Sequence, residues 1–545
     1  MRSGRFVGLL LSVFLLAVVA EPISAATTNV AAAVTIKPSV GPPTTNVTVT
    51  GSGFGANEAV SVDFGSRLMV TKTSGANGSF SASFLVPKTA LPGPHSVSAT
   101  GQTSGASGSA TFLVRTDWPR FNFDNAGTGY NPHENVLSVG NVSSGLTENW
   151  SAVVNTVSST PIVAGGRVYV AQHGSGGGLR VFDAAGKTKC SGPPKVCTPL
   201  WSTTVPGQDG STPTVAGGMV YAQDGSVLDA FSANGTTNCS GSLNRICQPL
   251  WTASLGGNNV SYSSPVVAKG FGGNVVFATN NTGVLYGFSA NGTTGCTGSA
   301  TKTCQPIWSA RFSAGASNTT PVVDNGVVYI GSPDKHLYAF DAAGTTNCTG
   351  TTTKSCTALW TGAVASAIGC GAAPAVANGI VYIGTCANQL SAFSTSTTSC
   401  TSTTTKTCQP LWTATTALIT ASPVVANGIV YVGRAGISAF SADGTTNCGN
   451  IPKTCQPLWK TAPFTGNTVN ASPAIANGVL YVAYGNGLLY AYRAASSPSC
   501  TAGSPTTCPP IWSASNAIGG ATSPVVVDGR LYSTTSEGHL KVFTP

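Results

Sequence analysis

The chain has 545 residues and a formal net charge of +9, yet only 8% of its residues are charged. No two Lys or Arg are adjacent, so the clustered basic surface that nucleic acid requires is excluded. Ser, Thr, Asn and Gly supply most of the polarity, and the length suffices for a large core and more than one domain.

Residues Phe6 to Ala20 are apolar apart from Gly8 and Ser12, lie behind Arg2 and Arg5, and are followed by Ile23-Ser24-Ala25. This is the pattern of a secretory signal over residues 1–25. It predicts a secreted or cell-surface protein, periplasmic in a host with an outer membrane. No later apolar stretch is longer, so no membrane span is expected after cleavage.

After a small-residue linker, residues 34–115 alternate apolar and polar side chains in short runs broken by Gly and Pro. Strands are expected at Asn46–Thr50, Ala59–Gly65, Ser79–Val86, His95–Thr100 and Ser109–Val114, an all-β sandwich pattern. The run Asn46 to Thr50 leads directly into the glycine turn Gly51-Ser52-Gly53-Phe54-Gly55. This arrangement resembles the Ig-like domains of IPT/TIG type found at the front of exported bacterial proteins. The resemblance implies a spacer or an adhesive module. Residues 116–149 carry Trp118, Phe121, Phe123 and Tyr130 without a strand period and read as a run-in segment.

From Trp150 to Pro545 one unit recurs, clearest from Ala421 to Trp459. Its opening proline returns as Pro161, Pro213, Pro265, Pro321, Pro374, Pro423, Pro473 and Pro524, at intervals of 49 to 56 residues. Its closing tryptophan returns as Trp150, Trp201, Trp251, Trp308, Trp360, Trp412, Trp459 and Trp512. Pro423–Ala426 and Ile429–Val432 are β-branched runs joined by Asn427-Gly428, a two-residue hairpin signal. Ile437–Phe440 and the Trp459 strand follow, giving four antiparallel strands and no helical period. That is a propeller blade, and blades must stack and close because one alone cannot bury its faces. The last unit has three strands and no Trp of its own, while a spare strand surrounds Trp150. If that strand completes the last unit, residues 150–545 form an eight-bladed β-propeller, all-β in class, preceded by the Ig-like sandwich.

Val181-Phe182-Asp183-Ala184-Ala185-Gly186-Lys187 and Ala339-Phe340-Asp341-Ala342-Ala343-Gly344 resemble the blade end of the PQQ-like, quinoprotein-type β-propeller repeat family. The segment from Asp117-Trp118-Pro119 through Thr128-Gly129-Tyr130 resembles that family's run-in. The resemblance implies tryptophans docked between blades. It does not fix chemistry, because many members hold no quinone and catalyse nothing.

Fourteen of the sixteen cysteines pair at one place in the repeat, between the third and fourth strands: Cys190 with Cys197, Cys239 with Cys247, Cys296 with Cys304, Cys348 with Cys356, Cys400 with Cys408, Cys448 with Cys455, and Cys500 with Cys508. In an exported chain such regular spacing reads as a disulfide framework, each bridge closing a small loop on one common face. Metal sites need Cys-x-x-Cys spacing or histidine partners, which are missing. Cys370 and Cys386 fall on the opposite face and read as one further bridge.

On that opposite face, the loops leading into each blade and the turns between second and third strands carry His173, Asp209, Asp224, Arg311, Asp334, Lys335, His336, Arg434, Glu537 and His539. These are the candidate ligand residues. A quinoprotein dehydrogenase would need PQQ, a calcium ion with several oxygen ligands and commonly an adjacent Cys-Cys pair, which the sequence does not contain. The expectation is therefore an exported, monomeric, non-catalytic binding or scaffold module with a protein or carbohydrate partner and no cofactor. The alternative is a PQQ-dependent dehydrogenase.

Overall fold

The computed structural model describes residues 32–154, 159–172, 177–204, 211–257, 263–270, 272–313, 319–368, 372–401, 406–416, 419, 421–433, 436–462, 471–485, 487–495, 500–501, 506–515 and 522–545. The expected signal peptide lies outside them. The described residues fall into two compact units, one comprising residues up to 39, 46–84 and 95–112, the other the remainder.

In the first unit the alternating runs become the strands of a sandwich. Ala33–Lys37, Asn46–Ser52 and Phe80–Leu85 form one sheet, and the second includes Ala59–Phe64, Arg67–Thr73, Gly93–Gly101 and Ser107–Val114. Val47, Val49, Val60, Val62, Phe64, Phe80 and Phe84 are buried, as the period-2 pattern requires. Ala33–Lys37 and Arg67–Thr73 are strands that the sequence reading lacked. Glu58 is a loop clasp: its carboxylate accepts the Ser104 hydroxyl and the amide N–H groups of Ser104, Gly55 and Thr103, and these bonds hold its pKa down to about 2.

In the second unit each repeat folds as its period dictates. The clearest repeat gives Val424–Ala426, Ile429–Gly433, Ile437–Ser441 and Trp459–Thr461 as successive antiparallel neighbours. Asn427 and Gly428 take φ values of 50° and 78°, the left-handed pair that a tight hairpin demands. Among the described residues eight such sheets are present, and we number them blades 1 to 8 from the Pro161 repeat. The spare strand is used as anticipated. Thr147–Val153 pairs antiparallel with His539–Thr544, placing Trp150 opposite Val542. The Tyr532 hydroxyl of blade 8 then donates to the Ala184 carbonyl of blade 1 at 3.0 Å.

Neighbouring blades are joined by the closing tryptophans, nearly all of them buried. Trp308 lies against Gly344 of the next blade, where an added Cβ would stand 2.3 Å from the indole and φ is 61°. Only glycine satisfies both conditions, so the Asp-x-x-Gly end of the blade is a docking plate for the previous blade's ring. The Trp308 indole N–H also donates to the Ala342 carbonyl at 3.3 Å. Burying roughly 200 Å² of indole is worth about 5 kcal/mol at about 25 cal/mol/Å².

The run-in segment does more than pack aromatics. Between residues 118 and 131 it visits every blade in order, bonding each time to a residue of that blade's first strand. Trp118 exchanges backbone bonds with Val163, and the carbonyls of Pro119, Asn125, Ala126, Thr128 and Gly129 accept from Val215, Val323, Val376, Val425 and Ile475. The Arg120 guanidinium donates to Val267 O, and the Asn131 amide to Val526 O. Three residues upstream of these first-strand positions, hydroxyls join the blades again. The amide N–H groups of Thr212, Ser264, Ala373, Ser422 and Ser523 donate to the side-chain oxygens of Ser264, Thr320, Ser422, Ser472 and Thr160 respectively, all within 3.2 Å.

The seven cysteine pairs are disulfide-bonded, but their loops do not stay with their own blades. Each hairpin extends the sheet of the preceding blade, its second strand running parallel to that blade's tryptophan strand. Ser202 of blade 1 pairs with Ile246 of the Cys239–Cys247 hairpin, and Thr252 of blade 2 with Thr303 of the next. A loop on one face thus becomes a cover for an exposed strand edge, a known hazard for pairing with other chains. Cys370 lies outside the described residues; Cys386 is disulfide-bonded.

Candidate functional site

Of the described residues on the candidate face, Asp334, His336, Arg311 and His539 bond within their own blades. In blade 4 the Asp334 carboxylate accepts the Tyr338 hydroxyl at 2.6 Å and the His336 amide at 3.1 Å, and lies 3.4 Å from His336 Nδ1. Lys335, between them, sits at φ 72°. In blade 3 Arg311 donates to the carbonyls of Thr282 and Ser313. In blade 8 Glu537 is exposed, and His539 exchanges backbone and hydroxyl bonds with Thr535 across the turn. His173, Asp209 and Arg434 lie outside the described residues. The structure therefore unites Asp334, Lys335 and His336 in one turn and leaves Asp224, Arg311, Glu537 and His539 apart from them.

Asp224 leads to a site that sequence reasoning missed, the seam between blades 1 and 2. It ends the strand Met219–Asp224, and Asp229 sits on the following strand, Val227–Ser232. Asp229 is buried; burial, reinforced by the charge of Asp224 and opposed by a hydrogen bond with Thr252, pushes its carboxyl up to about 6. Both acids line a cavity of about 30 Å³ together with Gln172 and Gln223.

Gln172 uses Oε1 to accept from Arg180 Nε, and Gln223 uses Nε2 to donate to Thr279 O at 2.7 Å. These bonds fix each amide's orientation. They leave Gln172 Nε2 and Gln223 Oε1 buried without hydrogen-bond partners. An orphan donor, an orphan acceptor and a carboxyl around that volume suit a water molecule.

Gln172 and Thr203 also line an adjoining cleft of about 270 Å³, with Arg180, Ser202, Asn244 and Arg245 on its wall. Among the described residues two guanidinium groups and no carboxylate line this space, a donor set suited to a carboxylate. The signal for Asp229 was its place in Leu228-Asp229-Ala230-Phe231: at that position the other blades carry Arg180, Tyr286, Tyr338, Ser391, Ser438, Tyr490 and Lys541.

Residues 248–495 match the family model described as outer membrane protein assembly factor BamB, and residues 33–114 match the IPT/TIG domain model. These segments are PQQ-like repeats and an IPT/TIG domain. Among solved structures, quinohemoprotein alcohol dehydrogenase from Comamonas testosteroni is similar at 12% identity, covering 78% of this chain and 80% of that one with a TM-score of 0.52. BamB from Moraxella catarrhalis is similar at 15% identity, covering 73% and 98%, with a TM-score of 0.47. No curated protein matches.

At these identities the dehydrogenase supports the propeller fold alone. A quinone with its calcium needs several oxygen ligands in one place. Among the described residues of the PQQ-like repeats no three His, Cys, Asp or Glu side chains converge, and the described acids of the candidate face sit on blades 2, 4 and 8. This donor set does not fit the cofactor. No described helix is long and apolar enough to cross a membrane.

Proposed function

We propose that the protein is an exported, non-catalytic propeller that serves as an extracellular binding or scaffold module, carried behind its IPT/TIG domain. The observation that supports this reading best is the rim: seven disulfide hairpins, each closing the outer edge of a blade. Such bonds persist in oxidising compartments, and they hold the propeller as a stiff platform for display. The cleft at the blade 1–2 seam is where a carboxylate-bearing group of a protein or carbohydrate partner seats, between Arg180 and Arg245.

The test is direct. Purified protein incubated with PQQ and calcium is expected to retain no quinone absorbance after desalting and to reduce no dye with alcohols or sugars. Reproducible turnover would overturn the proposal and assign a dehydrogenase.

A further inference from the structure

The turn between first and second strands carries a side chain at its leading position in blades 4 to 8, where Asn325, Asn378, Asn427, Asn477 and Asp528 stand. Blade 3 has a longer hairpin. Blades 1 and 2 have instead Gly165-Gly166 and Gly217-Gly218. The backbone does not require this second glycine. Gly165 and Gly217 take φ values of 60° and 58°, close to the 50° of Asn427, and asparagine tolerates that conformation. Packing does not require it either: a Cβ on Gly217 would meet nothing within 4 Å, and one on Gly165 would meet Arg167 Nη1 at 3.9 Å, an ordinary contact.

The two bare turns border a pocket of about 480 Å³ at their end of the blade 1–2 seam, a volume in the range of small-ligand sites. Pro119, Tyr169 and Val215 give it an apolar wall, and Asp117, Arg167 and Asn234 supply its polar side chains. Arg167 donates from Nη1 to the Gly165 carbonyl at 3.2 Å and forms no ion pair among the described residues. Asp183, opposite it in the sheet, is already committed to the amides of Ala185, Lys187 and Thr188. Asp117 Oδ1 accepts the Gly165 amide at 3.2 Å and Arg115 Nε at 3.1 Å, which leaves Oδ2 as an acceptor. Asn234 Oδ1 takes the hydroxyls of Ser232 and Thr236, which leaves Nδ2 as a donor. With Arg115 and Arg167 against Asp117, the surroundings are net positive.

We propose that this pocket binds a uronic acid unit of a glycan, with the carboxylate on Arg167 and Asn234 and a ring hydroxyl on Asp117. A guanidinium suits a carboxylate, and a uronate brings one negative charge, several hydroxyl donors and an apolar ring face for the Pro119 and Val215 wall. An amino acid is disfavoured, because it is neutral overall and Asp117 already has its cation in Arg115. The site stands apart from the Arg180 and Arg245 cleft, and neither needs the other.

The probe is digalacturonate, offered to the full-length protein. Expected are saturable binding by calorimetry and hydrogen-exchange protection at residues 165–167 and 216–218. The double variant Gly165→Asn with Gly217→Asn gives both turns the residue that blades 4 to 7 carry. It should keep the wild-type melting temperature while binding weakens by about tenfold or more. Arg167→Gln weakens binding comparably. So does methyl esterification of the ligand with wild-type protein, which keeps the charge test independent of any variant's folding. Absence of binding, binding unaffected by the double variant or by esterification, or tighter binding of glycine than of the uronate overturns the proposal. Protection confined to the surroundings of Arg180 and Arg245 also overturns it, while leaving the reading of that cleft intact.

Discussion

The inner and outer rims of the propeller solve the same problem by opposite means. At the inner rim a single segment, residues 118–131, bonds to all eight first strands, and a relay of Ser and Thr hydroxyls reinforces the contacts. At the outer rim each repeat covers its predecessor with a small covalent hairpin. The inner device is shared, so damage at one residue reaches every blade. The outer device is modular, so damage stays local.

Four substitutions sharpen this contrast. The largest effect is expected from Arg120→Met. Arg120 is buried, its guanidinium bonds to Asn125 and Val267, and it lies in the field of the buried Asp124. Losing hydrogen bonds from a charged donor costs about 1.5–3 kcal/mol each, read as a lower urea midpoint with all disulfides intact. An unchanged midpoint would mean that the belt carries no stability.

Asp528→Asn comes next. Asp528 accepts the Thr116 amide at the start of the belt, and burial, reinforced by Glu134 and Asp117, pushes its carboxyl up to about 7. A raised folded-state pKa gives stability that is full below the unfolded value of about 4 and is lost as pH rises through about 7. The Asn variant keeps the acceptor without the charge, matching Asn325, Asn378, Asn427 and Asn477 at the same turn of other blades. It should gain about 2–4 kcal/mol over wild type at about pH 8 and show a flatter pH profile in thermal melts; a parallel profile would refute the assignment.

Replacing Cys448 and Cys455 together with Ser should cost about 2–3 kcal/mol by the loop-entropy model. Hydrogen exchange should quicken at Thr413, the residue that this hairpin covers, and not in the other blades. Spread across all blades would erase the distinction between a modular and a shared rim. Ser422→Ala is the mildest. It removes the acceptor of the Ala373 N–H at 2.8 Å and should cost about 1 kcal/mol, measurable as a small shift in the denaturation midpoint.

These differences also decide what could be read from the sequence. The blades were legible because their strands bury side chains at a fixed period and turn on residues such as Asn427-Gly428. The Trp150 strand was legible because the last repeat lacked one like it. The cysteines were legible as pairs, but not as covers for a neighbouring sheet: two-residue parallel strands such as Ile246–Cys247 are too short for a period, and their partners lie in another repeat. The belt was hidden for a different reason. It bonds mainly through backbone groups, so nothing in Asn125, Ala126 or Thr128 announces it. At the site, Asp224 was picked out as a turn residue, whereas Asp229 was masked by lying within a strand, where an acid is rare and no turn draws notice. Arg245 was overlooked because the sequence places it in blade 2, while its hairpin stands on blade 1.

The direction of the hairpins sets an order on how the molecule is made. A nascent chain emerges N-terminus first, so the newest sheet always waits bare until the following repeat arrives to staple it. Assembly then has one growth point that travels along the chain. The strand Thr147–Val153, synthesised early, must be held in reserve until residues 539–544 exist to receive it, which makes completion of the wheel the last step rather than the first.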